Sequence, residues 1–270
     1  MKKKFKKIFI IGYNKTATST LDALFNSNGW DTQHHDGLWE VDKKEVFSDQ
    51  HAESTNSFDF KKLYRNYPEA LFILNLRKLG DWIMSRCRHV FFSVALDTIK
   101  DTNRPIKASW AYPSLEDIYG DKRTLDINNE AKEKYFNFIK EKIKLWIDER
   151  QNYYKDILEF FKDKKNNLII IDIYEKDWKV FIADHTMEGY IMTTDRMLAS
   201  EGEAFNEITS LSDSDKKFYD EFMFTHKALV KKAIDEILSE YPSSAKGSVL
   251  LHEDEENKKF LDIYKNNFKK

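Results

Sequence analysis

The stretch FIIGYNKTATSTLDALF, residues 9–25, joins an apolar run to a segment with helical spacing. A continuous apolar run predicts a buried parallel strand, and the segment after Gly12 predicts a helix. The first backbone N–H groups of a helix lack acceptors and attract negative charge. The junction therefore predicts a site for a phosphate or a similar anion. One lysine and four hydroxyl residues lie there: Lys15, Thr16, Thr18, Ser19 and Thr20.

Three continuous apolar runs predict buried strands over residues 8–11, 71–76 and 168–173. A shorter strand is predicted over residues 30–35. Each long run precedes a segment that can form a helix. This order predicts an α/β fold, with a central parallel β-sheet flanked by helices.

Apolar residues at helical spacing predict helices over residues 18–28, 80–94, 130–161, 213–238 and 253–267. Gly29 is the expected residue after the end of the first helix. Two regions without a clear period predict lids or binding loops, residues 97–129 and 184–212. Their aromatic residues could pack or bind an acceptor: Trp110, Tyr112, Tyr119 and Tyr190.

Neither an internal repeat nor a low-complexity linker is visible, so we expect a single domain over residues 1–270. Its core spans about 5–185, and a helical C-terminal elaboration spans about 186–270. The 270 residues are 41% hydrophobic and 14% aromatic, which is typical of a globular chain.

Charge and cysteine content exclude several classes of site. The net charge of −2 predicts no nucleic-acid partner. A single cysteine, Cys87, excludes an intramolecular disulfide and a zinc site built on paired cysteines. The apolar run near the N-terminus is shorter than a signal peptide requires, and no run approaches a membrane span of about 20 residues. We expect a soluble, cytoplasmic protein of unknown oligomeric state.

The loop after residue 11 is not a Walker A motif, because the second glycine would fall at Ala17 and the lysine at Thr18. Its sequence K-T-A-T-S-T resembles the 5′-phosphosulfate loop, roughly K-[ST]-G-[ST]-[ST], of sulfotransferases that use 3′-phosphoadenosine 5′-phosphosulfate (PAPS). Ala17 stands where that family usually has glycine. Alanine suits the loop only where a positive φ is not needed.

A second motif, YPEALFILNLRKLGDWIMS over residues 67–85, resembles the 3′-phosphate site of the same family. That site has an arginine at a strand end and a serine eight residues later, here Arg77 and Ser85. Arginine offers a planar fork to phosphate oxygens, and serine adds a donor. The family commonly continues with R-[DN]-P, whereas this chain has Lys78 and Leu79.

Two weaker similarities follow. Residues 152–178 resemble the family's order of helix, strand, acidic turn and short helix, with Tyr153 or Tyr154, Leu158, Glu175 and Trp178 at the matching positions. Residues 245–248, AKGS, are similar to a basic loop that closes on the 3′-phosphate.

The resemblance implies a PAPS-dependent sulfotransferase with a P-loop NTPase-like architecture. PAPS is then the donor, adenosine 3′,5′-bisphosphate (PAP) the product, and no metal is needed. The acceptor is a hydroxyl or amine of a small molecule or carbohydrate. Lys15 neutralises charge at the bridging oxygen. The implied cofactor-binding residues are Lys15, Thr16, Ala17, Thr18, Ser19, Thr20, Arg77 and Ser85.

The general base of this family is a histidine or an acidic residue soon after the first helix. We prefer His35, because related members have a histidine near the end of the second strand. The alternatives are His34, Asp36, Glu40, Asp49, His51 and His89. A metal site built from His34, His35, Asp36 and His51 matches no helical ligand spacing, so none is expected.

Two other functions stay open. A small-molecule kinase of related fold would bind ATP with Mg²⁺, although the early lysine argues against it. A non-catalytic descendant would bind a nucleotide without transferring a group.

Overall fold

The computed structural model describes residues 2–34, 42–49, 59–100, 129–188 and 210–240. Within them the chain is α/β, as predicted, with a five-stranded parallel sheet and six α-helices. Predictions that lie outside the described residues include the helix over 253–267 and the AKGS loop over 245–248. Most of the two predicted lid or binding-loop regions, residues 97–129 and 184–212, also lies outside them, with the aromatic residues Trp110, Tyr112, Tyr119 and Tyr190.

Seven strands lie in the described residues: β1 (Lys2–Lys3), β2 (Ile8–Ile10), β3 (Thr32–His34), β4 (Val46–Ser48), β5 (Leu71–Leu76), β6 (Leu168–Asp172) and β7 (Met187–Glu188). The main sheet has the order β3-β4-β2-β5-β6, and all of its neighbours are parallel. In its register, Ile8 lies opposite Val46 on one side and Leu71 on the other. β1 and β7 form a separate antiparallel pair.

The four predicted strands are confirmed, since β2, β3, β5 and β6 lie within their predicted ranges. β2 and β5 are buried along their whole length, which explains why their sequences are apolar except at Asn75. β4 was not predicted, because VFS is too short to stand out as a run.

The helices are α1 (Thr18–Ser27), α2 (Phe60–Asn66), α3 (Leu79–Lys100), α4 (Asn129–Phe161), α5 (Trp178–Thr186) and α6 (Asp213–Ser239). The predicted helices over 18–28, 80–94, 130–161 and 213–238 are confirmed, although α3 continues to Lys100. The strand β6 is followed by the short helix α5, which is the order predicted for residues 168–178 and beyond. None of the helices in the described ranges is long and apolar enough to cross a membrane.

Gly29 ends α1 as the sequence predicts. Its φ of 77° is left-handed, which glycine adopts without steric cost. The Gly29 N–H donates to the Asn26 carbonyl at 3.1 Å, and the Trp30 N–H donates to the Phe25 carbonyl at 3.2 Å. These two bonds are the Schellman pattern, which satisfies the last carbonyls of the helix.

Contacts within the chain divide it into two compact units. The first unit contains Met1–Lys78 and Arg150–Ser200, with Gly247–Lys270. The second contains Leu79–Glu149 and Glu201–Lys246. The expectation of a single domain stays a prediction.

Helices cover both faces of the sheet in the first unit. On one face, Leu21 and Phe25 of α1 and Ile182 of α5 join the buried cluster of the strands. On the other face, the ring centroid of Phe161 in α4 lies 4.9 Å from that of Phe72 in β5. The carboxyl edge of the sheet therefore lies between two packed layers that hold the loops after the strands in place.

In the second unit, α3 packs against α6, and a histidine is buried in α6. His226 is 0% exposed, and its Nδ1 lies 2.7 Å from the Phe222 carbonyl oxygen. Burial lowers the pKa of His226 to about 4. The unfolded chain has a pKa near 6.5 at this residue and binds the proton first as the pH falls. Stability therefore decreases as the pH drops from about 6.5 toward 4.

We expect His226 alone to lower the free energy of unfolding by about 2 kcal/mol between pH 7 and pH 5. Urea denaturation at the two pH values measures this loss. In the variant His226→Leu this part of the pH dependence should disappear, and any remaining slope belongs to other titrating groups. An unchanged slope in the variant would show that His226 is not the group responsible.

Candidate anion-binding site

The loop between β2 and α1 lies against the strand β5 at Gly12. A Cβ atom built on Gly12 would lie 1.9 Å from Oδ1 of Asn75 and 2.7 Å from its carbonyl oxygen. Only glycine permits this approach. Asn75 is 0% exposed, and its Nδ2 donates to the Thr16 carbonyl at 2.5 Å and to the Thr16 hydroxyl at 2.9 Å. Asn75 therefore fixes the loop to the strand β5 through Thr16.

Two residues of the loop have a left-handed backbone. Lys15 has a φ of 62° and Ala17 has a φ of 73°. Alanine thus occupies a position with positive φ, for which the sulfotransferase loop uses glycine. The sequence suits that loop only if this φ is negative, and the structure shows that it is positive. The left-handed region costs a residue with a Cβ about 1–2 kcal/mol. Thr16 also donates its hydroxyl to the Tyr13 carbonyl, so its side chain stabilises the loop.

Because Ala17 is strained, we expect Ala17→Gly to raise the free energy of unfolding by about 0.5–1 kcal/mol. The relief of steric strain exceeds the larger conformational entropy that glycine has in the unfolded chain. Ala23→Gly is the matched control, because Ala23 lies inside α1, where glycine costs about 1 kcal/mol. Urea denaturation should give opposite signs for the two variants. A loss of stability in Ala17→Gly would contradict the assigned strain.

Arg77 contacts this loop from the end of β5. Its Nη1 donates to the carbonyl oxygen of Lys15 at 2.9 Å. Its Nε is buried and has no hydrogen-bond partner among the described residues. The structure thus brings the guanidinium of Arg77 to the backbone of Lys15.

The loop and Arg77 lie at the point of the parallel sheet where the order of strand addition reverses. After β2 the chain builds β3 and β4 on one side of it, and then β5 and β6 on the other. Open parallel sheets bind ligands at the carboxyl ends of the strands at such a switch point. This position supports a binding site between the ends of β2 and β5.

The first turn of α1 opens onto the same loop. Ala17 is the N-terminal cap and its side chain supplies no cap hydrogen bond. Within the described part of the chain, the backbone N–H groups of Thr18, Ser19 and Thr20 have no acceptor. Three N–H groups at the positive end of a helix can bind an anion.

His34 lies at the end of β3, between two hydroxyl groups. Its Nε2 is 3.0 Å from the Ser19 hydroxyl of α1, and its Nδ1 is 2.7 Å from the Ser48 hydroxyl of β4. Asp49 Oδ2 lies 3.9 Å from the same Nε2. A histidine oriented through one ring nitrogen can use the other to accept a proton.

The remaining candidates lie either outside the described residues or in the second unit. His35, the preferred base, lies outside the described residues, as do Asp36, Glu40 and His51. His89 lies on α3, in the second unit. Ser85 is half-buried on α3, in the second unit, so its pairing with Arg77 stays a prediction.

The roles of Asn75, Ser48 and Tyr153 were not predicted from the sequence. Asn75 is the one polar residue in the buried strand LFILNL, and that signal could have identified it. Ser48 ends a strand that was not predicted. Tyr153 donates its hydroxyl to the Ile11 carbonyl at 2.9 Å, immediately before the loop.

The described residues include no group of three or more His, Cys, Asp or Glu side chains that could hold a metal ion. The site instead combines two cationic residues, Lys15 and Arg77, with backbone donors and a histidine. Such a set can bind an anion and accept a proton. Comparisons with protein-family models, curated proteins and solved structures give no match to this chain.

Proposed function

We propose that this chain is a PAPS-dependent sulfotransferase that acts on a hydroxyl or amine of a small-molecule or carbohydrate acceptor. One observation carries the proposal. The Arg77 guanidinium donates to the Lys15 carbonyl at 2.9 Å, in the loop that leads to the open N–H groups of α1. Two cationic residues that follow the neighbouring parallel strands β2 and β5 thus share one strand–helix junction, which suits a nucleotide with phosphates at two positions.

The P-loop-type sulfotransferase architecture is part of this proposal. The parallel order β3-β4-β2-β5-β6, with the anion loop after the central strand, supports it. The early position of Lys15 in the loop favours PAPS over ATP, because a Walker lysine lies one residue before the helical Ser or Thr.

In the proposed reaction, the acceptor oxygen or nitrogen bonds to sulfur while the bond from sulfur to the bridging phosphate oxygen breaks. Lys15 neutralises the charge that develops on that phosphate oxygen. His34 takes the acceptor proton through Nε2, because Ser48 orients the imidazole through Nδ1 at 2.7 Å. Ser19, 3.0 Å from Nε2, links this base to the anion loop. His35 stays the alternative base.

A nucleotide-dependent kinase is the second candidate, and Asp49 favours it. Asp49 follows β4, the strand next to β2, and lies 3.9 Å from His34, which contacts Ser19. A carboxylate beyond a neighbouring strand, together with a loop hydroxyl, is how P-loop enzymes hold Mg²⁺. This candidate predicts that binding of ATP depends on Mg²⁺ and on Asp49.

Calorimetric titration with PAP tests the proposal, with ADP and ATP-Mg²⁺ as controls. We expect PAP to bind more tightly than either control. Arg77→Ala should weaken the binding of PAP by about 10–100-fold, because it removes charge-assisted hydrogen bonds. Arg65→Ala is the matched control, since Arg65 is an exposed arginine on α2.

The titration, together with an assay of transfer to acceptors, distinguishes the candidate functions. Binding of ATP-Mg²⁺ without PAP would reject the sulfotransferase and support the kinase. Binding of PAP without transfer to any acceptor would support a non-catalytic descendant. Binding of neither nucleotide would reject both enzymes.

A further inference from the structure

A second arginine contacts the backbone of Arg77 in the first unit. Arg150, on α4, is only 5% exposed, and its Nη2 donates to the backbone carbonyl of Arg77 at 2.7 Å. The guanidinium carbon of Arg150 lies 5.0 Å from the ring centroid of Tyr154. The aromatic ring and the carbonyl therefore fix the orientation of the Arg150 guanidinium.

Two hydrogen bonds in series connect Arg150 to the anion loop. The first joins Arg150 to the Arg77 carbonyl at 2.7 Å, and the second joins the Arg77 side chain to the Lys15 carbonyl at 2.9 Å. Residue 77 is thus held through both its backbone and its side chain. Fixing the carbonyl of Arg77 fixes the direction in which its side chain leaves the end of β5.

Lys15 needs such support, because its φ of 62° is unfavourable for a residue with a Cβ. Strained residues persist where surrounding contacts determine their conformation. The two-step connection from Arg150 ends on the carbonyl of this strained residue.

We propose that Arg150 is a positioning residue for the anion site, and that it acts through Arg77 on the backbone of Lys15. This inference rests on the proposed function as far as the ligand is concerned. Arg150 is almost fully buried, so it orients Lys15 and Arg77 for a phosphate-bearing nucleotide without binding that nucleotide itself. A residue needed only for folding would leave nucleotide affinity unchanged in the folded protein.

The first test compares PAP affinity in the folded full-length chain. Arg150→Met keeps much of the side-chain volume and removes the donors, and we expect the dissociation constant for PAP to rise about ten-fold. Leu158→Ala is the matched control, because Leu158 is a buried residue of the same helix whose truncation costs stability. The control should leave PAP affinity unchanged.

Dependence on Arg77 is tested by combining variants. In the Arg77→Ala background, Arg150→Met should have no further effect on PAP affinity, since the side chain through which Arg150 acts is absent. An equal ten-fold loss in both backgrounds would overturn the proposal. Arg150→Lys keeps the charge without the planar fork, and it replaces Arg150→Met in these comparisons if that variant does not fold.

A readout without nucleotide separates this inference from the proposed function. In the free protein, Arg150→Met should shift the carbonyl carbon resonances of both Arg77 and Lys15 in triple-resonance NMR. If only the Arg77 carbonyl shifts, the connection to Lys15 is rejected. If both shift and the wild type binds no PAP, the positioning role stands and the sulfotransferase proposal fails.

Discussion

Lys15→Ala should reduce sulfuryl transfer about 1,000-fold, the size of effect seen when one stabiliser of transition-state charge is removed. In the proposed reaction, negative charge develops on the bridging phosphate oxygen as its bond to sulfur breaks, and Lys15 neutralises it. The assay follows sulfur-35 from PAPS to a panel of phenol, sugar and amine acceptors, and to water. Circular dichroism should show an unchanged fold, because alanine at this φ of 62° bears a steric cost similar to that of lysine.

The control for Lys15 is Lys62→Ala, which removes the same charge from an exposed position on α2. It should retain full transfer. Lys15→Arg should recover only part of the rate, because a planar guanidinium replaces a compact ammonium. Turnover in Lys15→Ala equal to that of the wild type would remove Lys15 from the mechanism, even if PAP still binds.

Long apolar runs made most of the sheet predictable. β2 and β5 are fully buried parallel strands and β6 is mostly buried, so their sequences are mainly apolar. β4 was missed because three residues give no pattern, although all three are buried. Because β4 was not predicted, the contact between Ser48 and Nδ1 of His34 was not predicted either.

The charged residues of the site could be predicted from the sequence, but the contacts that hold its loop could not. Lys15 and Arg77 follow strands, and ends of parallel strands meet at one edge, so their proximity follows from the pattern. Lys15 and Ala17, which have left-handed φ values, lie on either side of Thr16. Asn75 contacts Thr16 and Arg77 contacts Lys15, and both partners are remote in sequence. Local propensity cannot reveal a conformation that distant residues impose.

The sequence also could not decide which of the two adjacent histidines faces the site. Side chains alternate along a strand, so His34 and His35 cannot both face the site from one strand. Which of them faces it depends on the register of β3 against β4, where His34 lies opposite Ser48. This register is a tertiary property. His34 is the base of the proposed reaction, and the preference for His35 stays a prediction.

Gly12→Ala should lower the free energy of unfolding by about 3 kcal/mol and weaken PAP binding in the protein that still folds. The added Cβ would lie 1.9 Å from Oδ1 and 2.7 Å from the carbonyl oxygen of Asn75. Either Asn75 must move or β2 and β5 must separate. If Asn75 moves, Thr16 loses the two hydrogen bonds that hold the anion loop. Urea denaturation and calorimetry measure the two losses.

A double-mutant cycle with Asn75→Ala tests this cause. Truncating Asn75 removes the Oδ1 and Cγ atoms that the new Cβ would meet, and leaves only the backbone oxygen at 2.7 Å. Gly12→Ala should therefore cost less in the Asn75→Ala background, with a coupling of at least about 1 kcal/mol. PAP affinity should not improve in the double variant, because Thr16 still lacks its amide partner. Additive losses in stability would mean that the clash at Gly12 involves the backbone of β5 alone.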